Sequence, residues 1–446
     1  MTLEEDNLGQ RLKRYANVSS ALSGSAIRFF SERFLGISLD HNKEAFALTA
    51  ALGNLRGPIM KIAQMLATIP NAVPPEYADE FLQLQSDAPS MGWHFVKRRM
   101  QAELGLEWQS KFQSFDQEAS AAASLGQVHR AVTKEGQSVA CKLQYPDMTS
   151  TVEADLKQLK IILSLYKATI GALDTNELMD EISDRLREEL NYALEAKHIA
   201  LYNEILSDIP QVHVPQVFPD LSTRRLLTMS WMDGKRLMDV IDSPQSYRDT
   251  LSQNLFKIWY TPFYHYGVIH GDPHLGNYTF HENGDINLLD YGCVRRFSGK
   301  FVEGVLMLYR AILLKDDNMA AEAYKIWGFQ DLSKELREVL NLWAHMLYDP
   351  LIDDRIRPIQ HDTTGVYGRE TAGKIHGELR RLGGIKPPRE FVFMDRAAVG
   401  VGSVFMRLNA QLNWHKLFEE IIENFESDAL EKRQEAILDK VGLTPE

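Results

Sequence analysis

The sequence predicts an α+β chain of two lobes, a smaller one built on strands and a larger, mostly helical one, with a helical amino-terminal extension ahead of both. Three observations carry this. Residues 120–144 alternate apolar and polar side chains around the turn Thr133-Lys134-Glu135-Gly136, which is strand patterning. Two short apolar runs, Tyr278-Thr279-Phe280 and Ile286-Asn287-Leu288-Leu289, flank Asn283-Gly284-Asp285, a hairpin signal because a tight turn needs residues that tolerate positive φ. Beyond Gly292, Val302, Val305, Leu306, Tyr309, Ile312 and Leu313 recur at helical spacing, and helices are expected from there to the C-terminus. At 446 residues with 44% hydrophobic side chains, the chain is long enough for two cores.

Taken in order, residues 1–54 form a basic amphipathic segment. Between Arg11 and Leu35 five basic residues face one acid, a local +4 that leaves −16 elsewhere in a chain of formal charge −12. With Phe29, Phe30, Phe34 and Leu35 close by, such a helix suits an anionic membrane surface, or packs on the lobes as a docking helix. The acidic balance of the remainder argues against nucleic acid as a partner, since that binding rests on Lys and Arg neutralising phosphates. The acidic start, Met-Thr-Leu-Glu-Glu-Asp, is unlike a secretory signal or an Arg-rich transit peptide.

Residues 55–114 form a helical extension. Pro58 suits a helix start, and Ile59, Ile62, Met65 and Leu66 fall on one face, leaving Lys61 and Gln64 on a shared polar edge. A solvated face is the plain reading of that pair. Residues 115–232 are the small lobe. Val139-Ala140-Cys141-Lys142 places a lysine on the second strand, and the alanine-rich Ala121-Ala122-Ala123-Ser124 precedes it where a phosphate-covering loop would lie. Asp174 to Ile205 reads as one helix with Leu178, Ile182, Leu186 and Leu190 stacked at i, i+4, carrying Glu188, Glu189 and Glu195. One of these acids is expected to pair with Lys142, although a charged outer face explains any single Glu. Arg225–Met232 is a strand and Asp233-Gly234 a hinge. Residues 233–446 are the large lobe, with a longer linker at 349–368. Its most apolar stretch, Ala397–Met406, is bounded by Arg396 and Arg407. At about 15 Å it is half the hydrocarbon thickness of about 30 Å, so it packs rather than spans. The two cysteines, Cys141 and Cys293, fit a reducing compartment, each as a small buried side chain or, less plainly, as a thiol near a ligand.

The chemistry concentrates between His270 and Gly292. Asp272 precedes Asn277 by five residues, and the hairpin that follows ends at Asp290-Tyr291-Gly292. That order and spacing match a protein-kinase catalytic loop and metal loop: one Asp near the acceptor hydroxyl, an Asn and an Asp on Mg²⁺. Alternative readings are a transition-metal triplet, His270-x-Asp272-x-His274, or a polar turn.

With these pieces in place the chain resembles the UbiB family of atypical protein-kinase-like proteins, in the branch linked to coenzyme Q (ubiquinone) biosynthesis. The resemblance runs from about Leu55 to about Phe425. It rests on Lys61-Ile62-Ala63-Gln64, the alanine-rich run, Lys142, Glu189-Leu190-Asn191, His270 to Asn277 and Asp290-Tyr291-Gly292. It implies a bilobal protein-kinase-like fold that binds ATP or ADP with Mg²⁺ between two lobes. In that reading Ala121, Ala122, Ala123, Ser124, Lys142, Glu189 and Glu195 serve the nucleotide and Glu195 partners Lys142. Asn277 and Asp290 hold metal, Asp272 is catalytic, and Lys61 and Gln64 reach the active site from the extension. Ala63, Asn191 and Leu275 stand where the family has glycine, an acid and proline; Asn191 removes one carboxylate from the metal edge.

The resemblance further implies an atypical kinase or ATPase that does not phosphorylate proteins in trans. It acts with quinone-biosynthesis proteins or prenylated quinone precursors, in the cytoplasm, at the periphery of a membrane, or in the mitochondrial matrix in a eukaryote. A nucleotide-gated module for lipid or partners, with little turnover, is the second reading, and a small-molecule phosphotransferase the third.

Overall fold

The computed structural model describes residues 91–123, 125–157, 160, 175–272, 275–329, 332–360, 378 and 389–443. They form two compact units, one of residues 91–193 with 218–230, the other of residues 194–217 with 231–443. The residues from 91 to 114 thus group with the small-lobe strands, and 194–217 with the larger unit.

In the first unit a five-stranded antiparallel sheet runs β1 (Phe112–Phe115), β3 (Gly126–Thr133), β4 (Ser138–Gln144), β6 (Leu226–Ser230), with β2 (Ala121–Ala123) paired to β3. The expected alternation is present on β4. Val139, Cys141 and Leu143 join Val96 and Met100 of α1 (Trp93–Leu104) and Trp108 in one apolar cluster, which sends Ala140, Lys142 and Gln144 to the other face. The turn between β3 and β4 closes on Gly136 at φ +85°, a conformation that favours glycine. Cys141 is fully buried, and burial pushes its thiol up to about 12, so it is a packing residue.

The strand pattern expected over residues 120–144 extends to the alanines: Ala121 pairs with Val128, Ala122 with Gln127 and Ala123 with Gly126. One expectation needs correction: the helix read over 174–205 is interrupted. It divides into α2 (Thr175–Glu189) and α3 (Tyr192–Ile205), because long-range bonds replace helical ones at the joint. Gln144 Nε2 donates to the Leu190 carbonyl at 3.1 Å and the Tyr192 N–H donates to the Arg224 carbonyl at 3.2 Å. The stripe itself holds. Ile182, Leu186 and Leu190 are buried against Leu125, Tyr145 and Met148.

The second unit is organised on α4 (Gln245–Tyr266), a 22-residue helix closed by Gly267 in the left-handed region. Phe256 of α4 meets Phe405 and Trp414 at 6.2 and 5.8 Å between ring centroids, an aromatic centre for the helices. These are α5 (Gly299–Leu314), α6 (Asp317–Ile326), α7 (Lys334–Tyr348), α8 (Arg389–Leu408), α9 (Trp414–Ile422) and α10 (Ser427–Lys440). On α5 the expected stripe is buried except for Leu313, which is 42% exposed. The stretch 397–406 is part of α8, with Ala397, Val401, Val404 and Phe405 buried. Among the described residues no helix is long and apolar enough to cross a membrane.

Two small sheets complete the unit: β7 (Val268–His270) with β10 (Val294–Arg296), and β5 (Val212–His213), β9 (Ile286–Leu288) and β8 (Tyr278–Phe280). β10 interposes a strand directly after Gly292, where the chain was expected to turn helical. β8 and β9 form the predicted hairpin, Tyr278 opposite Leu288 and Phe280 opposite Ile286, with Gly284 at φ +92°. One face of α4 fixes it. Tyr247 Oη donates to the His281 carbonyl at 2.6 Å, Asn254 Nδ2 to the Gly284 carbonyl at 2.9 Å and Trp259 Nε1 to Tyr278 Oη at 2.9 Å.

Candidate active site

In the first unit Lys142 lies on β4 with Val128 and Leu227 as its ladder neighbours. It is 8% exposed, and its Nζ stands 5.2 Å from the centroid of the Tyr192 ring. An ammonium near an aromatic ring is attracted by the ring quadrupole, which helps to steady this cation. The hairpin next to it is tightly built. A Cβ at Gly126 would lie 2.2 Å from the Leu143 carbonyl oxygen and 2.8 Å from Tyr192 Oη, so only glycine fits at the start of β3. Ala121 and Ala122 are exposed on β2, Glu189 is half-buried at the end of α2, and Glu195 is buried in the first turn of α3.

The second unit gathers the other motif residues around His270, which is 2% exposed and enclosed by the rings of Tyr202, Trp259 and Tyr291. Its Nε2–H donates to the Asp290 carbonyl, while its Nδ1 accepts from the Asp272 N–H at 3.4 Å. A carbonyl can only accept, so these partners place the proton on Nε2. One ring therefore ties the Asp272 loop to the Asp290 loop. Asn277 closes the other side: its Nδ2 donates to the Asp272 carbonyl at 2.9 Å, and its own carbonyl accepts from Leu289 N–H at 2.9 Å. Gly271, between the two loop anchors, is pressed on Cys293, the residue before β10. Its N–H donates to the Cys293 carbonyl at 2.7 Å, and a Cβ there would lie 2.6 Å from Cys293 Sγ.

The donor set suits Mg²⁺. With Nδ2 of Asn277 turned to Asp272, its Oδ1 takes no hydrogen bond among the described residues. Asp290 is half-buried, and its Oδ1 accepts from Gly292 N–H at 2.9 Å, which orients the carboxylate. An amide oxygen and a carboxylate are hard donors, and Mg²⁺ at nucleotide sites takes one or two such ligands beside water and phosphate oxygens. Both nitrogens of His270 are engaged in hydrogen bonds, and the third member of the alternative transition-metal triplet, His274, lies outside the described residues. Lys61, Gln64, Ser124 and His274 lie outside the described residues, as does the basic amino-terminal segment.

Residue-by-residue reading missed two parts of this site. The role of His270 as the link between loops has no signal beyond its place in the motif. His198 has none at all: it stands on α3, 8% exposed, with Nδ1 donating to the Tyr291 carbonyl at 3.0 Å. Burial, aided by Arg295 and Arg296, lowers its pKa to about 4 despite that carbonyl. Between about pH 6.5 and 4 the unfolded chain therefore binds a proton that the folded chain does not, so stability rises with pH there and is lost as pH falls. We expect His198→Gln, which keeps a donor but cannot titrate, to lose roughly 2 kcal/mol less than wild type between pH 7 and 4.5. Urea midpoints measured at both pH values check this; parallel losses in the two proteins would refute it.

Known proteins share this chain's family and fold. The family model described as the ABC1 atypical kinase-like domain matches residues 83–324. The chain is 27% identical over 387 residues to "Atypical kinase COQ8, mitochondrial" of Saccharomyces cerevisiae, covering 84% of this chain and 75% of the yeast protein. To "Atypical kinase COQ8B, mitochondrial" of Rattus norvegicus it is 25% identical over 433 residues, 93% of this chain and 80% of that protein. To "Atypical kinase coq-8, mitochondrial" of Caenorhabditis elegans it is 25% identical over 434 residues, 93% of this chain, and it spans 57% of the worm protein. Among solved structures, Rv3197 of Mycobacterium tuberculosis, determined in complex with erythromycin, superposes with a TM-score of 0.61 at 25% identity. That match covers 85% of this chain and 96% of that one.

Proposed function

The chain belongs to the ABC1 atypical kinase-like family, the UbiB group, and we propose that it is a magnesium-dependent ATPase supporting coenzyme Q biosynthesis at a membrane surface. Its fold is the α+β kinase-like one, and it is an enzyme of the atypical kinase type. The observation that carries the reading is the His270 linkage, which makes Asp272, Asn277 and Asp290 one construction.

In this reading Lys142 holds the nucleotide phosphates, and Asn277 Oδ1 with the Asp290 carboxylate would hold Mg²⁺. The bound ion supplies positive charge that offsets negative charge developing on the transferred phosphoryl oxygens. Asp272 orients the attacking hydroxyl of water or a small acceptor and takes its proton; its loop is pinned by His270 and Asn277, so little reorganisation accompanies the step. The exposed methyl groups of Ala121 and Ala122, together with Ala123 and Ser124, cover the phosphates less closely than a glycine-rich loop would. Glu195 and Glu189 serve the nucleotide lysine and the metal edge, as the resemblance implies. Lys61 and Gln64 occlude the peptide site from the extension, so proteins are not phosphorylated in trans. Quinone-biosynthesis proteins or prenylated quinone precursors are the partners, and the compartment is the one that houses them, mitochondrial in a eukaryote.

The test is phosphate release from ATP by the full chain, with Mg²⁺ or with EDTA, and with or without anionic vesicles. We expect turnover that requires Mg²⁺ and rises with vesicles, and no transfer of radiolabel to generic peptides. Strong peptide phosphorylation, or turnover indifferent to EDTA, would overturn the assignment.

Membrane attachment has a separate check. Each exposed basic residue contributes about 1 kcal/mol near an anionic surface, so the +4 segment should give flotation with phosphatidylserine vesicles that weakens steeply between low and high salt. Removal of residues 1–35 should abolish it. Salt-independent flotation by the truncated chain would count against the basic segment.

A further inference from the structure

The second unit contains a cavity of about 340 Å³ among α4, α5, α7 and α8, lined by none of Asp272, Asn277 and Asp290. Its wall is mostly apolar and buried, and includes Trp259, Phe263, Trp343, Val401 and Phe405. No Lys, Arg, His, Asp or Glu is among the described residues that line it. Gln360, Ser403 and three tyrosines interrupt this uniformity. Tyr260 and Tyr264, one turn apart on α4, both line the cavity, and neither hydroxyl has a hydrogen bond to the described protein. Their rings are fixed by packing: Tyr260 stacks on Phe256 at 4.0 Å between centroids, and Tyr264 meets Phe418 edge-on at 5.2 Å.

A second observation points to open space on the facing helix. Gly402 of α8 lines the cavity, and a Cβ built there meets nothing within 4 Å. Glycine in a helix interior is unfavourable relative to alanine, and here no close approach of another chain segment accounts for it. An apolar cavity of this size is within the range of small-molecule sites. Water gains little in it, since a buried water makes about three hydrogen bonds and the wall supplies few polar groups.

We propose that this cavity binds a neutral, largely apolar small molecule carrying a hydrogen-bond-accepting oxygen, with the Tyr260 and Tyr264 hydroxyls as donors. Anions are disfavoured, because no cation lines the wall to offset a buried negative charge. Burial raises the pKa of both phenols, so each stays a neutral O–H donor that can meet an accepting oxygen. The phosphoryl-transfer assignment is not needed for this site.

The probe is 4-bromobenzophenone, an aromatic ketone whose bromine quenches tryptophan, added to the full chain while emission is followed, since Trp259 and Trp343 line the cavity. The expected result is saturable quenching by wild type. Gly402→Leu, which fills the open space, should lose it while melting at or above the wild-type temperature; Ala398→Leu on the same helix is the second filling variant should the first fold poorly. Tyr264→Phe should bind the ketone three- to tenfold more weakly yet leave 4-bromodiphenylmethane, which lacks the carbonyl, unchanged. Absence of saturable quenching in wild type, or unchanged quenching in a folded filling variant, overturns the site. Equal weakening of both compounds by Tyr264→Phe overturns the hydroxyl's role as donor.

Discussion

Asp290→Asn should lower MgATP affinity at least a hundredfold, about 2.8 kcal/mol, and leave the fold intact. The two halves of that expectation have separate causes. An amide keeps an oxygen that can accept from Gly292 N–H, and the bond from His270 goes to the main-chain carbonyl of residue 290, which the substitution does not touch. What disappears is the charge. Asn277 supplies only a neutral oxygen, so the carboxylate is the one protein anion in the proposed ligand pair, and a neutral pair holds a dication poorly. Equilibrium dialysis of ATP with Mg²⁺ and with EDTA separates the effects: affinity in EDTA should be nearly the same in both proteins. A folded variant with unchanged MgATP affinity would remove Asp290 from the metal site.

The parts of this site that could be read from the sequence are those set by local chemistry. Asn283-Gly284 demanded a turn, the alternation on either side demanded strands, and the hairpin then fixed Asn277 near Asp290 whatever the rest of the chain did. Lys142 was placed for the same reason, by alternation on a buried strand. The failures are long-range. Nothing local at Leu190 announces that Gln144, 46 residues earlier, takes its carbonyl and helps to end a helix whose apolar register continues smoothly through it. His198 and the apolar cavity have no local signature: a helical apolar period is the same whether the space it faces is filled or open.

Asp272→Asn should slow ATP hydrolysis at least a hundredfold while changing MgATP affinity by no more than about threefold, the range expected when a general base is lost from an otherwise intact site. Its main chain takes part in holding the loop around it. The residue 272 N–H meets His270 Nδ1, and its carbonyl accepts from Asn277 Nδ2, so the amide variant keeps the geometry that presents Asn277 to the cation. An amide oxygen can still accept a hydrogen bond from water, but it cannot hold the proton that the attacking oxygen must release. Binding and turnover should therefore separate in this variant and fail together in Asp290→Asn. Single-turnover hydrolysis with both proteins at saturating nucleotide makes the comparison. Loss of MgATP binding by Asp272→Asn would move that residue from the proton-transfer role to the metal, whereas wild-type turnover would mean that the attacking oxygen gives up its proton without it.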